Sequence, residues 1–299
     1  MTEEILLPAG EAPKKLAAFL KKRFPIGYVR KLFRKNGIRL NGKHPQPDDI
    51  IRPGDRIRFY LPFEAKAKQL QAKNNKPPEF QIVFEDRHLL VIDKPAGLAV
   101  HEGRTVTKRE SLLGMLESRY RTKGITPALV HRLDKDTSGL LLVAKEPRVA
   151  DRLASLFETG RVEKDYLCLV AGRLPENQGV IELPLPGREG QAVRAITRYQ
   201  VAKRFSATTL ARVKIETGRM HQIRLHFAKL GYPVVMDDQH GDFAFNKRFR
   251  KTYGLKRQFL HAATLTLDYE GKRRTWSAPL AGDLARTLGL LEHGANHPG

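Results

Sequence analysis

The segment VHRLDKDTSGLLLVAK, Val130 to Lys145, is the densest cluster of chemically able side chains in this 299-residue chain. A polar stretch, His131 to Gly139, precedes the apolar run Leu140 to Val143, which predicts side chains presented at the mouth of a core. Its carboxylates are Asp134 and Asp136. Hydrolysis of a glycosidic bond needs two carboxyl groups that face each other across several ångströms. Two residues apart on one loop, these do not supply that pair, and at most one of them is placed as a nucleophile or base. Thr137, Ser138 and Gly139 offer hydroxyls and amides for a local turn. His221 and His226 are five apart on a predicted helix, which does not put two ligands on one face, and no Cys or Glu completes a set; no metal site is expected. Cys168, between Leu167 and Leu169, reads as a buried strand residue.

The elements that must position this loop belong to a strongly basic chain. It carries 54 Lys and Arg against 32 Asp and Glu, a formal net charge of +22, with 41% hydrophobic and 29% charged residues. That composition supports a folded core, and the excess of positive charge points to a nucleic acid partner. A single cysteine excludes an internal disulfide and a Cys-based zinc cluster and suits a reducing cytoplasm. The opening MTEEILLPAGEAPKK lacks the basic flank and apolar run of a secretion signal. No stretch approaches the roughly 18 apolar residues of a membrane span, so no membrane partner is expected.

Residues 14–63 predict a compact module. Pro13 suits a first helical position, and Leu16, Phe19, Leu20 and Phe24 recur at helical spacing. Val29, Leu32 and Phe33 share one face of a second helix whose other faces carry Arg30, Lys31, Arg34 and Lys35, with Gly37 as its cap. Ile38 to Leu40 and Arg56 to Leu61 read as strands, with Asn41-Gly42 as a tight turn. Residues 1–62 hold 14 Lys and Arg against 6 Asp and Glu, a surface suited to tracking phosphates, although a solvated helix face would show the same pattern. Glu64 to Pro78, EAKAKQLQAKNNKPP, reads as a tether.

From Phe80 the composition changes. Strands are predicted at Ile82 to Phe84, Leu89 to Ile92, Leu140 to Ala144, Tyr166 to Ala171, Leu210 to Ile215 and Thr264 to Leu267. Helices are predicted around Val149 to Phe157 and Ile223 to Leu230. Strands outnumber helices without alternating with them, which argues an α+β fold with largely antiparallel pairing. The divisions are then 1–63, a linker 64–79, a core 80–285 and a loose tail 286–299.

Two resemblances sharpen this. LAAFLKKRF, VRKLFRKNGIRLNGK and RPGDRIRF resemble the small RNA-binding domain first described in a small-subunit ribosomal protein, the S-four type. HRLDKDTSGLLLVAK is similar, nearly letter for letter, to the signature of the RluA family of pseudouridine synthases. LLVIDKPAGLAVH, EKDYLCLVAG and TGRMHQIRLHFAKLGYPVV support it in the same order. The resemblance implies isomerisation of uridine in RNA, with no cofactor and no metal, by a chain expected to be monomeric and cytoplasmic. Asp134 matches the essential aspartate, which either attacks covalently or acts as a base. Tyr166 matches the tyrosine that stacks on the uracil and is placed to assist proton removal.

Arg224 matches the basic residue paired with the aspartate, where a guanidinium holds the carboxylate oriented. Arg132 matches a residue that helps displace the target nucleotide from its stack, since a buried base must be flipped out before its sugar can be reached. Leu260 matches an apolar residue of the base pocket. His131 is counted with the substrate contacts, and it and His261 read as hydrogen-bonding residues near the site. The basic module, through Arg30, Lys31, Arg34 and Lys35, implies ribosomal RNA, most of all that of the large subunit. Transfer RNA, or a non-catalytic role in RNA binding or ribosome assembly, are the alternatives.

The chain departs from the family pattern at three places. After the proline-valine pair the pattern has glycine and aspartate, then leucine-tyrosine-glycine, whereas Val235 is followed by Met236-Asp237-Asp238-Gln239-His240-Gly241. Glu102 follows His101 in place of proline, and DYEGKRRTWSAPL lacks a histidine-proline step. These are expected to affect target choice and to leave Asp134, Tyr166 and Arg224 untouched.

Overall fold

The computed structural model describes residues 3–8, 12–24, 26–60, 78–103, 106–187 and 190–294. The chain separates into two compact units, 1–75 and 76–299. The first unit contains, in order, β1 (Glu3–Leu6), β2 (Lys14–Lys15), α1 (Leu16–Arg23), α2 (Ile26–Arg34), β3 (Ile38–Leu40), β4 (Ile50–Ile51) and β5 (Arg56–Phe59). β1, β5 and β3 make an antiparallel sheet, and β2 pairs with β4. The helices lay Leu16, Phe19, Leu20, Val29 and Leu32 on a core with Ile38, Ile51, Ile57 and Phe59. Each such burial contributes about 1.5–3 kcal/mol.

Two local expectations are corrected here. α1 starts at Leu16 and not at Pro13, because the amides of Leu16 and Ala17 donate to the carbonyls of Asp49 and Pro47 (2.8 and 2.9 Å), which satisfy the helix start from across the unit. The left-handed residue ending α2 is Asn36 (φ 51°), with Gly37 one position later donating its amide to Leu32 (2.8 Å). The Asn41-Gly42 turn has positive φ at both residues, as a tight hairpin turn requires. The tether, except for its final Pro78, lies outside the described residues, as does Leu61.

The second unit contains β6 (Gln81–Glu85), β7 (Leu89–Lys94), α3 (Leu112–Tyr120), β8 (Ala128–Leu129), β9 (Ser138–Ala144), α4 (Pro147–Glu158), β10 (Glu163–Ala171), β11 (Gln178–Glu182), β12 (Leu185–Pro186), β13 (Ala192–Val193), β14 (Ile196–Arg204), β15 (Thr208–Ile215), α5 (Gln222–Lys229), α6 (Phe243–Tyr253), β16 (Leu260–Tyr269), β17 (Lys272–Ser277) and α7 (Gly282–Gly294). The main sheet runs β11-β14-β15-β10-β16-β9-β7-β6, with β17 beside β16 and β8 beside β9. Its pairings are antiparallel except β16 with β9. This is the α+β architecture.

The central strands are buried on both faces, so they read as continuous apolar runs instead of alternating ones. Leu90, Ile92, Leu141 and Val143 face one core with Tyr166 and Cys168, while Leu89, Val91, Leu140 and Leu142 face another with Val149 and Leu153 of α4. The parallel pairing of β9 with β16 demands a very close approach. Gly139 has φ 107°, and a Cβ there would lie 2.1 Å from the carbonyl oxygen of Ala262. Residues 286–294 are not a loose tail. They belong to α7, which buries Leu284, Thr287 and Leu291 at helical spacing against Phe249, Leu255 and Phe259; residues 295–299 lie outside the described residues.

Candidate active site

A cavity of about 750 Å³ opens beside β10 and α5, and its lining includes His131, Arg132, Asp134, Tyr166, Arg224 and Leu260. The structure therefore gathers these six expected residues in one place. Asp136 is not among the lining residues, so Asp134 is the carboxylate that the signature loop presents there. Arg30, Lys31, Arg34 and Lys35 are exposed at and just beyond α2 of the first unit.

The loop between β8 and β9 is held from several directions. Lys94, fully buried, donates to the carbonyls of Pro95, Leu98 and Lys135 (2.9, 3.0 and 3.0 Å). Those three acceptors match the three donors of an ammonium group, whereas burial pulls its pKa down to about 7. The amide of Gly97 also donates to the Lys135 carbonyl (2.9 Å). Arg257, paired with Asp283, donates to the Asp136 carbonyl (3.2 Å), and Gln258 donates to the Thr137 hydroxyl (2.6 Å). Ser138 Oγ lies 2.9 Å from His261 Nδ1 across the β9 to β16 seam. His261 is thus the buried hydrogen-bonding residue expected from sequence.

His131 Nε2 accepts from the Leu142 amide (2.9 Å), and its ring stacks on Phe157 at 4.4 Å. Burial, together with the nearby Lys164 charge, pushes His131 down to about 3, so its ring is neutral. These are the interactions of a residue that shapes the loop.

Arg224 of α5 carries the site's electrostatics. Its side chain is 3% exposed, and its Nη1 donates to Asp134 Oδ2 at 2.9 Å. Nε and Nη2 donate to Asp237 Oδ2 and Oδ1 at 2.6 and 2.7 Å, a bidentate pair with a carboxylate of zero exposure. Asp237 also accepts from the amides of Gln239 and His240, both at 2.9 Å. Burial works against the charge of Asp237, and Arg224 and these amides outweigh it, holding the carboxyl below its ordinary value. Burial likewise opposes the Arg224 charge and is outweighed first by Asp237, leaving the guanidinium raised.

The loop that carries Asp237 is fixed by α6. Asn246 donates to the Asp237 carbonyl (2.9 Å) and accepts from the Met236 amide (2.8 Å), while Met236 takes φ 63°. The stretch that departs from the pattern is thus not remote from the centre, although the residue that hydrogen-bonds Arg224 is the aspartate common to chain and pattern, Asp237, and Met236 makes only a backbone bond to Asn246. The pattern's glycine is replaced by a methionine in the left-handed region, and its aspartate is retained and used. Sequence reasoning missed Asp237; the aspartate kept beside the replaced glycine was the available signal.

Tyr166 is buried on β10. Burial first, and the charge of Asp134 second, push its phenol above the ordinary range, so it keeps its proton. His221, at the start of α5 with φ 54°, has Nε2 3.7 Å from Asp134 Oδ1 and Nδ1 3.1 Å from His240 Nε2. Burial lowers its pKa, so it faces Asp134 as a neutral ring at pH 7. Gln222 ties the preceding loop down, accepting from Thr217 Oγ1 and the Arg219 amide and donating to Ile196. His226 bonds Thr197 and the Leu183 carbonyl inside the fold. Among the described residues no group of His, Cys, Asp and Glu is arranged to hold a metal ion. Cys168 is fully buried, and burial raises its thiol. No helix among the described residues is long and apolar enough to cross a membrane.

A family model described as RNA pseudouridylate synthase matches residues 88–229. Ribosomal large subunit pseudouridine synthase C of Salmonella typhimurium is 32% identical over 316 residues, covering 97% of this chain and 96% of the relative. The protein of the same name from Escherichia coli strain K12 gives the same identity and coverage, and that from Yersinia pestis is 33% identical over 313 residues, again with 97% and 96% coverage. Among solved structures, human RNA pseudouridylate synthase domain containing 4 is similar in fold, with a TM-score of 0.61 at 24% identity, covering 76% of this chain and 95% of that one.

Proposed function

This chain belongs to the RluA family of RNA pseudouridine synthases, and on that premise we propose that it isomerises uridines of large-subunit ribosomal RNA with Asp134 as the residue that engages the target nucleotide. The observation that carries the reading is the line Asp134, Arg224, Asp237 at the wall of a cavity large enough for a nucleotide, with Tyr166 beside it. The curated relatives, named for the ribosomal large subunit and matched along nearly their whole length, favour that RNA over transfer RNA.

The reaction breaks the bond from uracil N1 to ribose C1′, turns the uracil and joins its C5 to C1′. The proton lost from C5 is matched by one gained at N1, so no electron donor or acceptor is consumed. Asp134 is one-fifth exposed, toward the cavity, and Arg224 engages its Oδ2. Most of the Arg224 hydrogen bonding is spent on Asp237, so Asp134 is oriented by one strong bond and keeps Oδ1 for the nucleotide, whether as nucleophile or as base. Tyr166 is a protonated phenol in the cavity wall, which suits it to stack on the uracil; removing a proton from the ring would first require it to lose its own. Leu260 supplies apolar wall. Arg132, exposed at the cavity, is suited to fill the space a flipped nucleotide leaves.

Residues 1–63 are proposed as an S-four-type RNA-binding domain acting through Arg30, Lys31, Arg34 and Lys35. Two helices packed on a small sheet, with all four cations exposed, support this. The enzyme is proposed to work as a monomer in the cytoplasm. Mapping pseudouridines in total RNA from a strain lacking the gene tests the reading. Sites in large-subunit RNA should disappear and return on complementation; their persistence would overturn it.

A further inference from the structure

Two cations of the cavity lining, Lys164 and Arg219, have no part in the mechanism above, and of these Arg219 is exposed and donates Nε to the Arg194 carbonyl (3.4 Å). Lys164 lies two residues before Tyr166 on β10, and strand alternation takes both to the cavity side. It is 5% exposed. Its strand neighbours are engaged elsewhere: Glu163 pairs with Lys214 and Arg273, and Asp165 with Lys214 and the Thr264 hydroxyl. Among the described residues no carboxylate lies within ion-pair distance of Lys164 and no acceptor takes its protons. Nζ lies instead over the ring of Phe157, 5.4 Å from its centroid. His131, which stacks on the same ring, is neutral and offers no counter-charge.

A buried ammonium without a partner is costly to a fold unless something pairs with it. Burial lowers Lys164 to about 8, so at neutral pH the group is still mostly charged. Lys164 is part of the cavity lining, so a group held in the cavity has access to it. The Phe157 ring interacts favourably with the cation by a modest amount and supplies no negative charge.

We propose that Lys164 is the anion ligand of the cavity and pairs with a phosphodiester next to the target uridine. This rests on the proposed function, since it takes RNA as the occupant. Pairing inside the wall of the cavity would fix the nucleotide's backbone while Tyr166, on the same strand, meets its base. The aspartate is then presented to the sugar between the two.

The test uses the full chain and a large-subunit RNA fragment that the wild-type enzyme modifies. Lys164→Gln should raise KM roughly 10- to 100-fold, the range for removing a hydrogen bond to a charged group. It should change kcat by less than about threefold if the interaction is equal in ground and transition states. The slope of log Kd against log salt should flatten by about 0.7, the value for one single-strand phosphate. Lys164→Arg should restore most of KM and the slope. Should Lys164→Gln fail to fold, Lys164→Met carries the same comparison. An unchanged KM and salt slope, or a loss of kcat with an unchanged slope, would overturn the inference. Absence of turnover by the wild type on every large-subunit RNA fragment tried would instead overturn the proposed function.

Discussion

Asp237 occupies two of the three Arg224 nitrogens that approach a carboxylate closer than 3 Å, and leaves Asp134 the third. The guanidinium is thus fixed from behind by a fully buried partner before any substrate arrives. Its fork cannot swing without breaking a bidentate pair. The orientation of Asp134 therefore depends on a residue that faces away from the cavity.

Replacing Asp134 with Asn keeps the shape of the loop and removes the charge. Pseudouridine formation should fall below detection while RNA affinity stays within a few-fold, read by a pseudouridine assay beside a binding titration. Retained turnover would remove Asp134 from its role.

Asp237→Asn leaves a buried guanidinium with Asp134 at its cavity end and only the exposed Asp238 carboxylate, 3.5 Å from Nη2, on the other side. Breaking a buried pair from one side typically costs about 3–5 kcal/mol, so the urea midpoint should fall well below that of the wild type. Activity should drop as well, because Arg224 is then free to re-pair with Asp134 in another geometry. A variant of equal stability would show that the pair contributes no rigidity.

The same carboxyl gives a dependence on pH. Its folded pKa lies below the ordinary value of 3.8, so the folded state binds fewer protons than the unfolded state between those two values. The stability it contributes is fully present above about pH 4 to 5 and is lost as pH falls through the folded value. Asp86 and Asp283 are lowered too and act in the same direction. Denaturant midpoints at pH 6 and pH 3 should therefore drop for the wild type and drop less for Asp237→Asn. Equal drops would assign the acid sensitivity elsewhere.

Gly139→Ala would drive a methyl group into the Ala262 carbonyl at a backbone angle that side chains avoid. Strain and overpacking together should cost on the order of 2–5 kcal/mol. Gly124→Ala, with φ 63° and nothing within 4 Å of the added carbon, should cost only about 1 kcal/mol. Thermal melts of the pair separate crowding at the seam from backbone strain alone.

Exchanging Arg30, Lys31, Arg34 and Lys35 for Gln should weaken RNA binding and flatten its salt dependence by about 0.7–0.9 for each phosphate no longer neutralised. The melting temperature should barely move, since all four are exposed. An unchanged slope would show that this face of α2 does not meet RNA.

Much of the fold was legible because its strongest signals are local. The runs Leu89 to Ile92 and Leu140 to Val143 read as strands and Asn41-Gly42 as a turn, whereas the burial of both faces of those strands shows only in the fold. Site residues within long motifs were equally plain. Asp237 was not, since its meaning lies in its pairing with Arg224 and in the help of Asn246 from α6. Nor was Lys164, whose isolation follows from where Glu163 and Asp165 point. α7 was missed although Leu284, Leu288 and Leu291 recur at helical spacing, because Gly282, Gly289 and Gly294 lower the helical propensity of the stretch that carries them.

The bond between Ser138 and His261 joins positions 123 apart in the chain, and Arg257, Gln258 and Asp283 clasp the loop from the same far stretch. A growing polypeptide that has passed Asp134 and Arg224 has the hold that Lys94 and Gly97 place on the loop between β8 and β9 and still lacks the holds from Arg257, Gln258 and His261. The reactive side chains are therefore all in the chain before the strand at 260–269 closes the seam that completes the support of their loop.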